Sequence, residues 1–169
     1  MNLEKLVEVV EDMTVQHSYP DFDIRTLKLG LPASVLKAPA KVYGAALKHE
    51  NVVVRLAALR WFWEKPGPAK PFTRVLAECL ADPDDVVRAE AVRCLERINN
   101  LDKKYIVQIA ELLKDPFPEV RKAAAKGLGK IGVKDDVVIE HLREAAEDAD
   151  HEVKWKAQKA LRQLGAYVA

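Results

Sequence analysis

From Val54 onward, one apolar pattern returns every 33 residues. The segments NVVVRLAALRWFWEK, DDVVRAEAVRCLERI, FPEVRKAAAKGLGKI and DHEVKWKAQKALRQL align on Val54, Val87, Val120 and Val153. Apolar or small residues follow each valine at i+4, i+7 and i+8. They are Ala58, Trp61 and Phe62, then Ala91, Cys94 and Leu95, then Ala124, Gly127 and Leu128, then Ala157, Ala160 and Leu161. Ile98, Ile131 and Leu164 carry three of the stripes on to i+11. This spacing keeps one face of an α-helix apolar, so each segment is predicted to be a helix. A second helix is predicted upstream of each. Its face steps from Tyr43, Ala46 and Leu47 to Leu76, Cys79 and Leu80, then to Ile109, Leu112 and Leu113, then to Leu142, Ala145 and Ala146.

The helix starts repeat too. Asn51, Asp84 and Asp150 stand just ahead of three second helices, where a short side-chain oxygen can accept an unpaired N–H of the first turn. Phe117 breaks that column, and Pro118 takes the first helical position, where its missing N–H costs nothing. Asp102 and Asp135 precede two of the first helices in the same way. Pro83 and Pro116 follow an aspartate between the helices of a pair, where proline ends one helix and fixes the corner.

Each unit is therefore a helical hairpin with an apolar side on both helices. One hairpin cannot bury that surface alone, and stacking hairpins makes a continuous core. The expected fold is all-α: a right-handed α-solenoid (superhelix) of about four hairpins behind an N-terminal cap. The whole chain, 1–169, reads as one repeat domain, with a degenerate cap at 1–32 and repeats at about 33–66, 67–100, 101–132 and 133–169. Residues 2–16 form an amphipathic pattern through Leu3, Leu6, Val7, Val10 and Met13. Ile24, Leu27, Leu29 and Leu31 are expected to dock on the first repeat. KPGPAK at 65–70 is expected to be a rigid loop inside the array, because the 33-residue register continues across it.

The residues DPxxxVRxxAxxxL resemble the HEAT-like repeat family, in the short form found in phycobilisome lyases. Ankyrin's TPLH-type turn and the W–LG–Y signature of tetratricopeptide repeats are missing. The resemblance covers about 33–169 and speaks to fold far more than to activity. The family's turn aspartate falls on Asp82, Asp115 and Asp148, with His49 in the first repeat. Its arginine falls on Arg55, Arg88 and Arg121, with Lys154 in the last. The resemblance implies that these residues link adjacent repeats.

Composition narrows the function classes. The chain carries 27 Lys and Arg against 26 Asp and Glu, so no global field of either sign exists. Any electrostatic argument must rest on where the charges sit. No apolar run approaches the roughly 20 residues of a membrane helix, and acids interrupt the N-terminal pattern. A cytoplasmic monomer is the expectation. Cys79 and Cys94 fall on apolar helix positions and read as small buried hydrophobes.

No catalytic constellation emerges. His17, His49, His141 and His151 have no metal-like spacing with cysteine or carboxylates, so no metal or cofactor is expected. GLGKIG at 127–132 follows a helix rather than a strand, which argues against a phosphate loop. Gly127 and Gly129 are expected to permit close helix packing, and Gly132 to end the helix. The acids between Asp135 and Asp150 read as a solvated helix face.

One column remains. At i+6 stand Arg60, Arg93, Lys126 and Lys159, and at i+10 stand Arg97 and Lys130 in two repeats. In solenoids of the resembled family the second helices usually line the concave surface. The six cations, with Trp63 and Trp155, are thus the candidate ligand-binding residues. Trp61 at i+7 is expected in the core. Trp63 and Trp155 either meet a ligand or pack locally, Trp63 under 65–70 and Trp155 over the C-terminal end. The expected function is a non-enzymatic scaffold binding a protein partner through this face. A nucleic acid or other polyanion on the basic column is the alternative. A bilin-lyase-like enzyme subunit, implied only by the resemblance, is a third possibility.

Overall fold

The computed structural model describes residues 1–15 and 37–166, and among them there are helices and turns but no strand. Ile24, Leu27, Leu29 and Leu31, expected to dock on the first repeat, and His17 lie outside the described residues. Helix α1 spans Leu3–Val15, α2 Ala40–Ala46, α3 Val52–Glu64, α4 Thr73–Glu78, α5 Asp85–Leu95, α6 Lys103–Glu111, α7 Pro118–Ile131, α8 Asp136–Ala145 and α9 His151–Gln163. Thus α2, α4, α6 and α8 are the first helices of four hairpins, and α3, α5, α7 and α9 the second. The fold is an α-solenoid.

The repeating apolar columns are the core. Val54, Val87, Val120 and Val153 are fully buried, as are Ala58, Ala91, Ala124 and Ala157. On the first helices Tyr43, Leu76, Ile109 and Leu142 are fully buried as well. Trp61 is buried and stacks on Tyr43, ring centroids 4.3 Å apart. Burial pushes the Tyr43 hydroxyl up to about 12, with the Glu64 charge adding to it. At the N-terminal end Leu6 and Val10 of α1 are buried, and α1 packs on α2 and α3. Asn51 Nδ2 donates to Glu11 Oε1 at 3.3 Å, tying the cap to the first repeat.

The caps follow the sequence with one exception. Asn51 accepts the Val53 N–H at 2.9 Å, and Asp84 accepts those of Val86 and Val87 at 2.9 and 3.1 Å. Asp150 accepts from Glu152 and Val153, and Asp135 from Val137. Phe117 caps nothing with its side chain, and Pro118 opens α7 as expected. Asp102 holds the N-cap position of α6 but makes no side-chain cap bond. Two first helices also tighten at their ends into 3-10 turns, Cys79–Ala81 and Leu112–Lys114. The segment read as a loop at 65–70 is instead largely a 3-10 helix, Gly67–Phe72, with Ala69 buried. Fixed proline φ angles suit its first turn.

A ladder of ion pairs joins neighbouring repeats. Arg88 of α5 reaches the next turn and holds Asp115 through Nε at 2.7 Å and Nη2 at 3.0 Å. Arg121 holds Asp148 in the same way, at 2.8 and 3.0 Å. Arg55 reaches Asp82 through Nη2 at 2.8 Å, while its Nε lies 2.8 Å from Oδ2 without hydrogen-bond alignment. The remaining guanidinium nitrogen of each arginine donates to two carbonyls of its own turn: His49 and Glu50, Asp82 and Pro83, Asp115 and Pro116. Each aspartate in turn accepts a backbone N–H two residues on, from Asp84, Phe117 or Asp150. His49 substitutes for it in the first repeat, its Nδ1 accepting the Asn51 N–H at 3.1 Å. The linking role implied by the resemblance is thus visible for Arg55, Arg88 and Arg121, whereas Lys154 reaches Glu147 of its own hairpin.

Candidate functional site

Close packing of the second helices fixes what lies outside them. A Cβ on Gly127 would stand 2.8 Å from Val92 of α5, and one on Gly129 would stand 3.1 Å from the Ala160 Cβ of α9. Both glycines therefore let α7 sit tightly between its neighbours. Gly132 then ends α7 in the left-handed region, at φ 74°, where its N–H reaches Leu128. The sequence GLGKIG is helix and helix cap, not a loop.

The i+6 column emerges on the surface. Arg60, Arg93, Lys126 and Lys159 are all exposed, as are Arg97 and Lys130 at i+10. They do not form a uniform stripe. Arg60 pairs with Glu64 at 2.9 Å, one helical turn on. Arg93 pairs with Glu90 at 2.7 Å. Lys130 reaches back to Glu96 of the preceding repeat. Trp63 is half-buried between two guanidinium groups, Arg60 at 4.6 Å and Arg97 at 5.1 Å from its ring centre.

The C-terminal half differs. Between α7 and α9 lies a cleft of about 300 Å³, lined by Lys126, Lys130, Trp155, Lys156, Lys159 and Gln163. Trp155 is 54% exposed, with the ammonium groups of Lys159 and Lys156 at 5.0 and 5.6 Å from its ring centre. The structure thus brings three candidates, Lys126, Lys130 and Lys159, together with Trp155. Arg60 and Trp63 on α3, Arg93 on α5 and Arg97 in the turn just past α5 do not line this cleft. Lys156, at i+3, is the residue that column reasoning missed: only the last repeat carries a cation there. Lys122 lies on α7 as well, but it is engaged by Glu119 at 2.6 Å and Glu152 at 2.9 Å. Those two bonds hold its ammonium above the ordinary lysine range.

The acids of the last repeat are used structurally. Asp135 pairs with Lys103 at 2.6 Å, Glu144 with Lys114 at 2.8 Å, and Asp148 with Arg121. The Lys103 hydrogen bond holds the Asp135 carboxyl below the usual range, and Lys114 does the same for Glu144. Carboxylates held ionised are poorly suited to donate protons near neutral pH. His141 Nδ1 lies 2.8 Å from the Val137 carbonyl of its own helix. Cys79 and Cys94 are both free and buried, with Cys94 Sγ donating to the Leu59 carbonyl at 3.1 Å. Among the described residues, no group of three or more histidines, cysteines or acids is placed to hold a metal ion. Nor is any helix there long and apolar enough to cross a membrane.

A sequence profile of the family described as HEAT repeats matches residues 73–162. No curated protein matches. Among solved structures, an engineered protein is 23% identical at a TM-score of 0.61, over 97% of this chain and 80% of that one. A designed armadillo repeat protein in complex with the peptide (KR)4 is 17% identical at a TM-score of 0.61, over 96% and 69%. The complex of CpcE and CpcF of phycocyanin lyase from Nostoc sp. is 16% identical at a TM-score of 0.54, over 87% and 70%. At such identities the likeness is one of fold.

Proposed function

The chain belongs to the HEAT-repeat family, and from that premise we propose that it is a non-enzymatic interaction module. It binds a protein partner through the exposed face of α3, α5, α7 and α9. The carrying observation is the basic cleft between α7 and α9. Like charges one helical turn apart, as at Lys126 and Lys130 or Lys156 and Lys159, cost a few tenths of a kcal/mol each. Beyond the Lys130–Glu96 pair and the contacts of Lys156 and Lys159 with Trp155, the fold gains little from such a cluster, whereas a bound anionic group would neutralise it.

Three further observations support this reading. The tight packing at Gly127 and Gly129 fits an inner, concave face for the second helices. The solenoid offers side chains from successive helices to one extended ligand, as repeat proteins do. The fold neighbour bound to (KR)4 takes a peptide. Its peptide is basic, whereas the face here is itself basic and suits an acidic ligand. As for chemistry, Asp135, Glu144, Asp148 and Asp150 of the last repeat are committed to caps or cross-repeat pairs, which supports a non-catalytic role for them. The lyase neighbour shares the fold and carries no reaction over to these residues.

The test is capture from native lysate, with and without nuclease, by the protein and by its Arg93→Glu/Lys126→Glu variant. The proposal expects partners that survive nuclease and are lost with the variant, while circular dichroism stays unchanged. Partners that vanish with nuclease would favour the polyanion reading, for which four phosphate contacts imply a log K versus log salt slope of about −3.6. Capture indifferent to the charge reversal would place binding elsewhere.

A further inference from the structure

We propose that the α7–α9 cleft docks an acidic linear segment of the partner, its carboxylates meeting Lys126, Lys156 and Lys159 and one apolar side chain lying on Trp155. This rests on the reading of the second-helix face as a protein-binding surface, and adds which part of it binds and what chemistry it takes.

The uneven state of the cations carries the inference. Arg60 and Arg93 already have their carboxylates, at 2.9 Å from Glu64 and 2.7 Å from Glu90, and Arg97 lies over the Trp63 ring. Lys130 has Glu96. Lys126, Lys156 and Lys159 make no direct ion pair among the described residues, Glu152 beside Lys156 being bonded to Lys122, and they converge on one cleft. Beside them Trp155 leaves more than half its surface in water. An exposed tryptophan ringed by ammonium groups offers an apolar plate with charged edges. An acidic segment interrupted by an apolar residue complements it on both counts.

Size and charge favour a peptide over a nucleic acid. A cavity of about 300 Å³ admits a few side chains, not a folded domain. The unpaired lysines span two helices only, and the chain's net charge is +1 with a pI near 7.8. A phosphate backbone needs a longer basic track.

The experiment is fluorescence anisotropy on the full chain with three labelled probes. One is an octapeptide of alternating Asp and Glu, one is the same peptide with a central Phe, and one is oligothymidylate. Lys126→Gln/Lys159→Gln should weaken both peptides by about fivefold, each exposed pair contributing a few tenths to one kcal/mol. Lys48→Gln/Lys114→Gln, on the first-helix side, should change either by less than about twofold, because those lysines lie off the proposed face. Trp155→Ala should weaken only the Phe-containing peptide, by about threefold or more. Equal losses from both double variants would overturn the assignment to this cleft. Binding of oligothymidylate alone would overturn the acidic-peptide ligand. No peptide binding, with lysate capture still sensitive to Arg93→Glu/Lys126→Glu, would overturn this inference and spare the proposed function.

Discussion

Arg88 and Asp115 are 27 residues apart and belong to different hairpins, yet they share two hydrogen bonds at 2.7 and 3.0 Å with both side chains almost out of solvent. The same arginine holds the Asp82 and Pro83 carbonyls of its own turn. One side chain thus joins the corner of a repeat to the corner of the next. Arg88→Ala would leave the Asp115 carboxylate buried without its cation. Removing one partner of a buried pair costs about 3–5 kcal/mol, and urea unfolding should show a loss near the low end. The N–H of Phe117 still supports Asp115. A change within experimental error would mean the ladder is decorative.

One rung of the ladder, Arg121 with Asp148, also makes stability sensitive to acid. Burial pushes the Asp148 carboxyl up, but the Arg121 hydrogen bond, the Asp150 N–H and the Arg121 charge outweigh it and hold it below the usual range. A carboxyl depressed in the folded state contributes stability above its unfolded value, about 3.9. That contribution disappears as pH falls through the lower folded value. Stability should therefore hold from neutral pH to about pH 5 and then drop. Asp148→Asn should flatten its share of that drop while lowering stability at neutral pH. Urea melts across the acid range measure both.

At Gly129 the backbones of α7 and α9 are too close for a branched side chain. An added Cβ meets Ala160 Cα at 3.2 Å, and backbone cannot step aside as a flexible side chain can. Gly129→Val should cost about 1–3 kcal/mol from overpacking. It should also open the cleft and reduce acidic-peptide binding. A neutral or stabilising result would contradict the packing described here.

The two cysteines should be inert in the native protein. Burial, then the charge of Asp82, pushes the Cys79 thiol up to about 12. Burial raises Cys94 as well. Thiolate is the reactive form, so a water-soluble thiol reagent should label each at under about 1% of the unfolded rate. Mass spectrometry of time points resolves the two. Labelling of either at the rate of an exposed cysteine would refute its place in the core.

Much of this was legible because the repeat averages out noise. Val120 alone says little; Val54, Val87, Val120 and Val153 in register fix a buried helix face. Caps such as Asp84 were readable because their bonds are local. The 3-10 helix at Gly67–Phe72 was not, since its prolines signal rigidity without saying which turn they build. The neutralised half of the basic column could have been seen: Glu64 lies four residues after Arg60, and Glu90 three before Arg93. Lys130 to Glu96 could not, because that pair crosses between repeats. Lys156 was missed for the opposite reason. Columns reveal what repeats share, and the proposed binding cleft lies where one repeat departs from the others.

The most direct measurement is lysine footprinting, in which a mild acylating reagent and mass spectrometry report each lysine with and without bound partner. The account predicts protection of Lys126, Lys156 and Lys159, while Lys48, Lys103 and Lys114 on the first-helix side keep their reactivity. Protection of Lys48, Lys103 and Lys114 with the α7–α9 lysines unchanged would contradict it.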